Sequence, residues 1–295
     1  MRKTRGPVVS GFRLNPGTRT HKVIRSGIGG FPPPLPAIPA SALQSPPMAK
    51  PRFFLPAERW HPEHLVLDGE EAHHCLDVIR CREGDRIVVF NGAGSEAEAE
   101  IVATAKGAVT LKTILVVSTP RPTAAITLGQ AVPKGKNMDL IIQKATELGA
   151  SRLVPLLSER TVVQLDGEDL DKKRQKWQRV AIEACKQCGQ NWVPEVTAPV
   201  KVEAFVRSVK DPLRLIAAIG PESRPLKALL AEQTEEGSPS PAAATVMIGP
   251  EGDFTPAEIA TAVTHGFLPL SLGPIILRSE TAAIYALSIL GHELR

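Results

Sequence analysis

Beyond residue 124 the chain alternates short apolar runs with longer segments of helical periodicity, and this alternation restricts its possible folds more than any other feature. The apolar runs fall at residues 126–131, 152–157, 213–219, 243–248 and 267–272. Strands separated by helices are joined by crossover connections, which give a mostly parallel sheet with helices on both faces. We therefore predict an α/β domain over residues 120–295.

Two glycine-containing loops lie within this pattern, each between an apolar strand and a helix. Their sequences are IGPEGDF (248–254) and LGPIILRSETA (272–282). Glycine has no side chain to keep a ligand away, so main-chain amides and carbonyls in such loops can contact it directly. Because the two loops lie about one helix apart, they predict a small-molecule site built mainly from backbone groups.

The helix between the two loops has clear boundaries in the sequence. Thr255 and Glu258 have the spacing of a capping box, Pro256 suits the first helical position, and Gly266 suits the end. We therefore predict a helix over residues 255–264, with one glycine loop before it and a strand and the second loop after it.

A different pattern precedes the proline-containing linker at residues 119–122. Turn signals such as Asn91-Gly92 separate short β-like runs, which fall at residues 64–67, 86–90, 97–103 and 108–117. One short helix is predicted at residues 70–78. These features predict a small β-barrel over residues 48–119.

The first 47 residues have a composition that cannot build a hydrophobic core. They contain seven Lys or Arg, no Asp or Glu, and the proline-rich run FPPPLPAIPASALQSPP at 31–47. We predict a disordered basic extension for residues 1–47. An organelle transit peptide is the alternative, since such peptides are also rich in Arg and poor in acidic residues.

Charge and apolar content exclude some classes of function. The formal net charge is +4, but the residues after the extension carry 28 basic and 31 acidic side chains. A nucleic acid would therefore bind a local basic patch rather than the whole surface. No apolar run approaches the about 18 residues needed to cross a bilayer, so we expect a soluble, cytoplasmic protein without membrane contact.

The four cysteines do not predict a metal site. Cys185 and Cys188 have C-x-x-C spacing, but no second pair or neighbouring His completes a set of zinc ligands. The chain also lacks the H-E-x-x-H motif of zinc hydrolases and the G-x-x-x-x-G-K-[ST] motif of P-loop enzymes. We expect reduced thiols and no bound metal.

Several of these segments together resemble one known family. LGQAVPKGKNMDLIIQKATELGASRLVPLLSERTVV (128–163) and the two glycine loops are similar, in order and spacing, to the RsmE methyltransferases of the SPOUT superfamily. RFFLP (52–56), HHCLDVIR (73–80) and GDRIVVFNG (84–92) resemble the PUA-like RNA-binding barrel of that family. The resemblance covers residues 48–295.

The resemblance implies a fold, a cofactor and a substrate. The implied fold is a C-terminal parallel sheet with a deep trefoil knot and helices on both faces, preceded by a small PUA-like β-barrel. The implied cofactor is S-adenosyl-L-methionine (SAM), and the implied reaction is methylation of N3 of a uridine in small-subunit ribosomal RNA. The implied partners are this RNA or a 30S-type particle, and a second subunit in a homodimer.

The resemblance also assigns candidate cofactor-binding residues to the loops and to a third strand end. Apolar side chains would form the walls of an adenine site, while glycines would let main-chain groups reach the ligand. The candidate set is Ile219, Gly220, Ile248, Gly249, Glu251, Gly252, Leu272, Gly273, Ile276, Leu277 and Thr281.

Arg278 and Glu280 are the candidate catalytic residues. Uracil N3–H must lose a proton during methyl transfer, so a cation that stabilises the developing anion is useful. Arg278 could stabilise this charge or bind the target phosphate. Glu280 or Glu251 could accept the proton or hold Arg278 in place, and Glu280 could instead stabilise the dipole of the last helix.

Candidate RNA contacts occur in both halves of the chain. They are His74, Arg80, Lys134, Lys136 and Arg160. Each has a structural alternative, such as a solvated loop or an ion pair. The helix predicted at 170–186 also carries six basic side chains, which could form either an RNA-facing stripe or an ordinary solvated surface.

Three departures from the family pattern leave other functions open. Ile275 and Gln190 stand where family members often have Arg, and Asp253 stands where Gly is frequent. The first two changes concern RNA binding more than cofactor binding. The alternatives are a SPOUT enzyme with another target, such as a ribose 2′-hydroxyl of tRNA, and a knotted RNA-binding protein without catalysis.

Overall fold

The computed structural model describes residues 50–161, 167–233 and 241–295. The extension predicted at 1–47 lies outside these residues, as does most of the loop predicted at 234–241. In the described part of the chain, no helix is long and apolar enough to cross a membrane.

Residues 52–118 form a curled five-stranded sheet with its own hydrophobic core. The strands are β1 (Arg52–Phe54), β2 (Leu65–Asp68), β3 (Arg86–Phe90), β4 (Ser95–Ala105) and β5 (Ala108–Ser118), in the spatial order β1-β3-β4-β5-β2. β1 is parallel to β3, and the other neighbours are antiparallel. The SEAEAE run of β4 shows why this sheet forms, because Ala97 and Ala99 are buried while the glutamates face outward.

The helix predicted at 70–78 is present in two parts. α1 (Gly69–His73) continues directly into a π-helical turn, His74–Val78, and Arg80 follows with a positive φ of 65°. A 3-10 turn, Ala57–Arg59, lies between β1 and β2. The π-helical turn buries Cys75 in the barrel core and leaves Val78 exposed.

The rest of the chain forms a seven-stranded parallel sheet covered by helices, as predicted. Its elements in chain order are β6 (Ala125–Ala131), α2 (Asn137–Glu147), β7 (Arg152–Leu157), α3 (Gly167–Cys188), β8 (Glu195–Val196), β9 (Val200–Lys201), α4 (Val202–Ser208), β10 (Leu213–Ala217), α5 (Leu226–Gln233), β11 (Ala243–Ile248), α6 (Pro256–Thr264), β12 (Leu268–Leu270) and α7 (Ser279–Leu294). The spatial order is β12-β10-β11-β6-β7-β8, and β9 also pairs with β7.

Successive residues of the central strands point into two separate cores. Leu215 and Val246 join a cluster with side chains of α2, α3, α5 and α7, whereas Ile216 and Met247 join one with side chains of α4 and α6. This alternation follows from the period of two in a strand. Both faces of the sheet are therefore covered, which explains its nearly continuous apolar runs.

The chain returns across the sheet after β12. β12 lies at the edge beside β10, yet α7 packs against α2, β6 and β11. Residues 271–278 therefore pass the carboxyl ends of β10 and β11.

Loop 189–193 and the end of α3 hold the curled sheet in place. The Trp192 indole nitrogen donates to the Thr119 carbonyl at 3.0 Å, and Arg52 donates to Asn191 Oδ1 at 2.7 Å. Lys186 pairs with Glu71 at 2.5 Å, and its side chain is only 8% exposed. Lys186 is therefore not available for an RNA-facing stripe on α3.

Other basic side chains of α3 are also paired with acids. Lys172 pairs with Glu168, Arg174 with Asp171, and Lys176 with Asp139 on α2. These pairs favour the solvated-surface interpretation of the predicted basic helix. Exposed pairs of this kind contribute at most about 1 kcal/mol each to stability.

The cysteines are free thiols, in agreement with the prediction. Burial raises the pKa of Cys75 and of Cys185 to about 12, so both stay protonated at neutral pH. Cys188 is exposed. Within the described residues, no three His, Cys, Asp or Glu side chains are grouped as a metal site would need.

A pair of glycines tests how closely loop 189–193 packs on the curled sheet. Gly94 and Gly107 both have positive φ, but a β-carbon at Gly94 would overlap the Trp192 indole, whereas none of the described atoms lies within 4 Å at Gly107. We expect Gly107→Ala to cost about 1–2 kcal/mol of unfolding free energy through backbone strain. Gly94→Ala should cost a further roughly 1–3 kcal/mol through overpacking.

Urea denaturation of the two variants measures this difference. Equal losses of stability would show that the indole can move aside, and would contradict the packing described for Trp192.

Candidate functional site

A cleft lies at the carboxyl ends of β10, β11 and β12, where the two glycine loops meet. Its volume is about 460 Å³, within the range of roughly 300–1,000 Å³ that is typical of small-molecule sites. Three chain segments line most of it: residues 217–220, 248–251 and 270–279. The carboxyl edge of a parallel sheet is where such folds usually bind ligands.

Most of the predicted cofactor residues lie in the walls of this cleft. They are Ile219, Gly220, Ile248, Gly249, Glu251, Leu272, Gly273, Ile276 and Leu277. Gly252 and Thr281 are not among the lining residues. Gly252 lies on the outer side of its loop, where its carbonyl accepts a hydrogen bond from Arg160, and Thr281 is exposed on α7.

The apolar side chains of the cleft wall range from buried at the floor to exposed at the rim. Ile248 is 2% exposed at the floor of the cleft, and Leu272 and Leu277 are partly buried against the main core. Ile219 and Ile276 are 72% and 80% exposed at the rim. The floor therefore offers an apolar surface that suits a flat ring, while the rim leaves apolar side chains exposed to water.

Ser279 ties the second loop to the first. It is the first residue of α7, and its hydroxyl donates to the Gly249 carbonyl at 2.7 Å. Gln130, at the end of β6, donates from Nε2 to Ser279 Oγ at 2.9 Å. Gln130 and Ser279 are 1% and 5% exposed, so this connection is excluded from water.

The first glycine loop has further attachments on its other side. Glu251 Oε1 accepts from the Lys134 backbone amide at 3.0 Å, and Arg160 donates to the Gly252 carbonyl. Asp253 adopts a φ of 61°, and its Oδ1 accepts from the Phe254 amide at 2.8 Å. The predicted capping box of Thr255 and Glu258 then begins α6. The loop is thus held from the ends of β6 and β7.

Arg278 lies at the rim of the cleft and is exposed. Within the described residues it has no ion pair or side-chain hydrogen bond, so its guanidinium can meet a substrate anion. Glu280 lies outside the cleft lining, and its Oε2 is 3.5 Å from Asn137 Nδ2. The start of α7 therefore presents a cation and a carboxylate two positions apart, with Arg278 just before the helix and Glu280 in its first turn.

The predicted RNA contacts fall into two groups. Lys134, Lys136 and Arg160 are exposed, and two of them touch the first glycine loop through the contacts above. His74 and Arg80 lie in and after the π-helical turn of the curled sheet; the His74 ring packs edge-on against Phe53 at 5.8 Å. The two groups occupy different parts of the protein.

Sequence reasoning missed Gln130, Ser223 and the part of Ser279 in the cleft. Ser223 lines the cleft and donates to the Ala218 carbonyl at 2.8 Å, which fixes the turn after β10. The available signal for Gln130 was a polar residue within the apolar run of β6. Its partner at position 279 could not be read from the sequence.

Comparison with known proteins agrees with this geometry. Residues 119–291 match the model of the RNA methyltransferase domain, and residues 67–114 match the RNA methyltransferase PUA domain. Ribosomal RNA small subunit methyltransferase E of Bacillus subtilis is 32% identical over 246 residues, which cover 82% of this chain and 96% of that protein. The chain belongs to the ribosomal RNA small subunit methyltransferase E family.

Other members of this family support the same assignment. The Synechocystis protein of the same name is 35% identical over 234 residues, covering 77% of this chain and 74% of that protein. Two solved structures with bound SAM, from Legionella pneumophila and Neisseria gonorrhoeae, are similar with TM-scores of 0.74 and 0.72 and identities of 37% and 29%. Each covers 83% of this chain and 98% of the solved one. The predicted SPOUT α/β fold with an N-terminal PUA-like domain is confirmed.

Asp253 offers a test of how the first glycine loop is held. Asp253→Gly removes the strain of positive φ, about 1–2 kcal/mol, together with one hydrogen bond worth about 1 kcal/mol. We expect its unfolding free energy to stay within about 1 kcal/mol of the wild-type value. Asp253→Ala keeps the strain and loses the bond, so it should be the less stable variant.

Chemical denaturation of both variants gives the comparison. An alanine variant as stable as the glycine variant would contradict the positive φ at this position.

Proposed function

We propose that this protein uses SAM to methylate N3 of a specific uridine in small-subunit ribosomal RNA. The observation that carries the proposal is a cleft walled by two glycine loops, with the guanidinium of Arg278 at its rim and unpaired among the residues that the structure describes. The relatives named ribosomal RNA small subunit methyltransferase E and the SAM-bound solved structures support the cofactor and the type of RNA. The choice of N3 rests on the family resemblance of the sequence.

The residues of the cleft fit a molecule such as SAM. Ile248 and Leu277 would contact the two faces or edges of an adenine ring, and main-chain groups of Gly249 and Gly273 would bond its polar edge. SAM supplies an electrophilic methyl group on a sulfonium, so the protein needs to align it with the target and remove one proton.

Arg278 is the residue that we assign to the reaction itself. A guanidinium beside the target uracil stabilises the negative charge that develops on the ring as N3 loses its proton. The same group can instead grip a phosphate of the target nucleotide. The absence of an ion pair to it in the described part of the chain supports either use, because a paired guanidinium would first have to leave its partner.

Two carboxylates can accept the N3 proton. Glu251 lines the cleft and is held in place through Oε1 by the Lys134 amide. Glu280 lies one residue beyond Ser279 on α7, close to Asn137. We keep both residues as candidate bases.

RNA would be held by basic side chains around the cleft and on the barrel. Lys134, Lys136 and Arg160 border the first glycine loop, so a phosphate there would lie near the reacting base. His74 and Arg80 would contact a more distant part of the RNA. Since ribosomal RNA of this type is the proposed substrate, we propose the cytoplasm as the site of action.

Replacing Arg278 tests the proposed chemistry. In vitro methylation with tritiated SAM and small-subunit rRNA or particles from cells lacking the enzyme should slow by at least about a hundredfold in Arg278→Ala. The SAM dissociation constant should change little, because the cofactor contacts are mainly backbone. Mass mapping of the wild-type product should place the methyl group on uracil N3.

Arg207→Ala is the matched control, since Arg207 is an exposed arginine on α4 that pairs with Glu203. Unchanged turnover in Arg278→Ala would remove this residue from the mechanism. A methyl group on a ribose 2′-hydroxyl, or SAM binding without transfer, would favour the other functions that the sequence leaves open.

We also propose that the protein is a homodimer. Leu140 on α2 and Tyr285 on α7 are 41% and 45% exposed, on two helices that pack against each other, and Ile275 and Ile276 are exposed at the cleft rim. A second subunit that covers these apolar side chains would also complete the wall of the cleft.

Light scattering measures this state directly. The wild type should have about twice the chain mass of 31.6 kDa, and Tyr285→Asp should shift it toward the monomer. Val102→Asp on the barrel, where Val102 is 44% exposed, is the control that should remain dimeric. A wild-type protein that is monomeric and fully active would contradict the proposal.

A further inference from the structure

Gln130 is a polar residue in a strand that otherwise buries apolar side chains. Its Nε2 donates to the Ala131 carbonyl at 2.8 Å and to Ser279 Oγ at 2.9 Å. A nitrogen that faces a carbonyl oxygen must be the donor, so the orientation of the amide is fixed. Its Oε1 is then buried without a partner in the described part of the protein.

Ser279 connects Gln130 to the cleft through two hydrogen bonds. Its hydroxyl accepts from Gln130 and donates to the Gly249 carbonyl at 2.7 Å. This Gln130–Ser279–Gly249 chain joins the end of β6, the start of α7 and the first glycine loop. Gln130 and Ser279 are 149 positions apart, so the chain closes a very long loop of sequence.

Stability alone does not explain a glutamine at this position. An unpaired buried carbonyl oxygen disfavours the folded state, and an apolar residue of similar volume would avoid that loss. Natural sequences break such local rules mostly at functional sites. Of the two groups that Gln130 engages, the Ser279 hydroxyl lies on the path to the cleft.

Two functional groups of the proposed site adjoin this chain of bonds. The Gly249 carbonyl belongs to a cleft-lining residue, and Arg278 immediately precedes Ser279 at the start of α7. The β6–β11 register places Gln130 directly beside Ile248, the residue before Gly249. A change in the amide of Gln130 would therefore reach both the cofactor wall and the guanidinium.

We propose that Gln130 and Ser279 are positioning residues, which hold the Gly249 carbonyl and Arg278 in the geometry needed for cofactor binding and methyl transfer. This inference rests on the proposed function, because it assigns a purpose to the cleft. Neither residue needs to contact the cofactor or the RNA. They act through the loop and the helix that they join.

The test uses the full chain, four single variants and one double variant. Ser279→Ala removes the link, Gln130→Met removes the amide at nearly constant volume, and Ser279→Thr restores a hydroxyl. The fourth is Ser288→Ala, the matched control on the same helix, whose exposed hydroxyl bonds to the Ile284 carbonyl and to no other group of the described residues. Each is examined by SAM calorimetry, methylation of small-subunit rRNA, thermal unfolding and amide hydrogen exchange.

We expect Ser279→Ala and Gln130→Met each to weaken SAM binding by about tenfold, the effect of losing one buried hydrogen bond. The turnover number at saturating SAM should fall as well, since Arg278 moves with α7. Amides at residues 251–254 and 280–282 should exchange faster than in wild type. Ser279→Thr should recover most of each property.

The double variant Gln130→Met/Ser279→Ala should lose no more than either single variant, because both act through one chain of bonds. Additive losses would show two independent effects and would overturn the inference. So would wild-type exchange and wild-type SAM affinity in Ser279→Ala, or equal changes in Ser288→Ala.

These measurements separate the inference from the proposed function. Hydrogen exchange is measured without cofactor or RNA, so it decides whether the chain of bonds holds the loop and helix in any case. If the wild type binds SAM but methylates no small-subunit rRNA, the proposed function fails while SAM affinity still tests the positioning. If the wild type binds no SAM, both proposals are overturned.

Discussion

The parallel register between β6 and β11 is the constraint on which the rest of the C-terminal domain depends. It sets Ile248 beside Gln130 at the carboxyl edge of the sheet, and β10 and β12 end at the same edge. Loops that follow parallel strands must emerge together, so three loops converge there without any long connection. The cleft is a consequence of this convergence rather than of a separate binding module.

Much of the loop geometry follows from neighbours that are far away in sequence. The first glycine loop is held by Lys134 after β6, by Arg160 after β7 and by Ser279 on α7. Two of these residues were expected to contact RNA. Their contacts with the loop give them a structural part as well, so an RNA phosphate that binds to them would also affect the wall of the cleft.

The sequence predicts elements best where a pattern is long or chemically specific. The capping box of α6 and the strand predicted at 97–103, which lies within β4, form as expected. β1, β8 and β9 have three, two and two residues, which is too short to show a period, and the seven residues of α4 were missed for a similar reason. α3 begins at Gly167, three residues earlier than predicted, as helix ends are the least certain feature.

The same limit applies to the site. Glycine loops and a nearby Arg reveal the cleft because they are local, while the bond between Gln130 and Ser279 joins distant segments and leaves no local trace. The basic side chains of α3 were equally ambiguous, because the sequence fitted both an RNA-facing stripe and a solvated surface. Lys186 pairs with Glu71, which lies 115 positions earlier in the sequence and in the other domain. No pattern within α3 could indicate this pair.

The attachment of the barrel also restricts the distance between the barrel and the cleft. Trp192 and Lys186 fix the curled sheet against the end of α3 through buried or half-buried contacts, and Arg121 adds its guanidinium over the indole at 4.5 Å. These contacts limit how far His74 can move relative to Arg278. Under the proposed function, such a span would work as a ruler, which would accept an RNA whose folded shape matches it and reject the same nucleotide in a differently shaped strand.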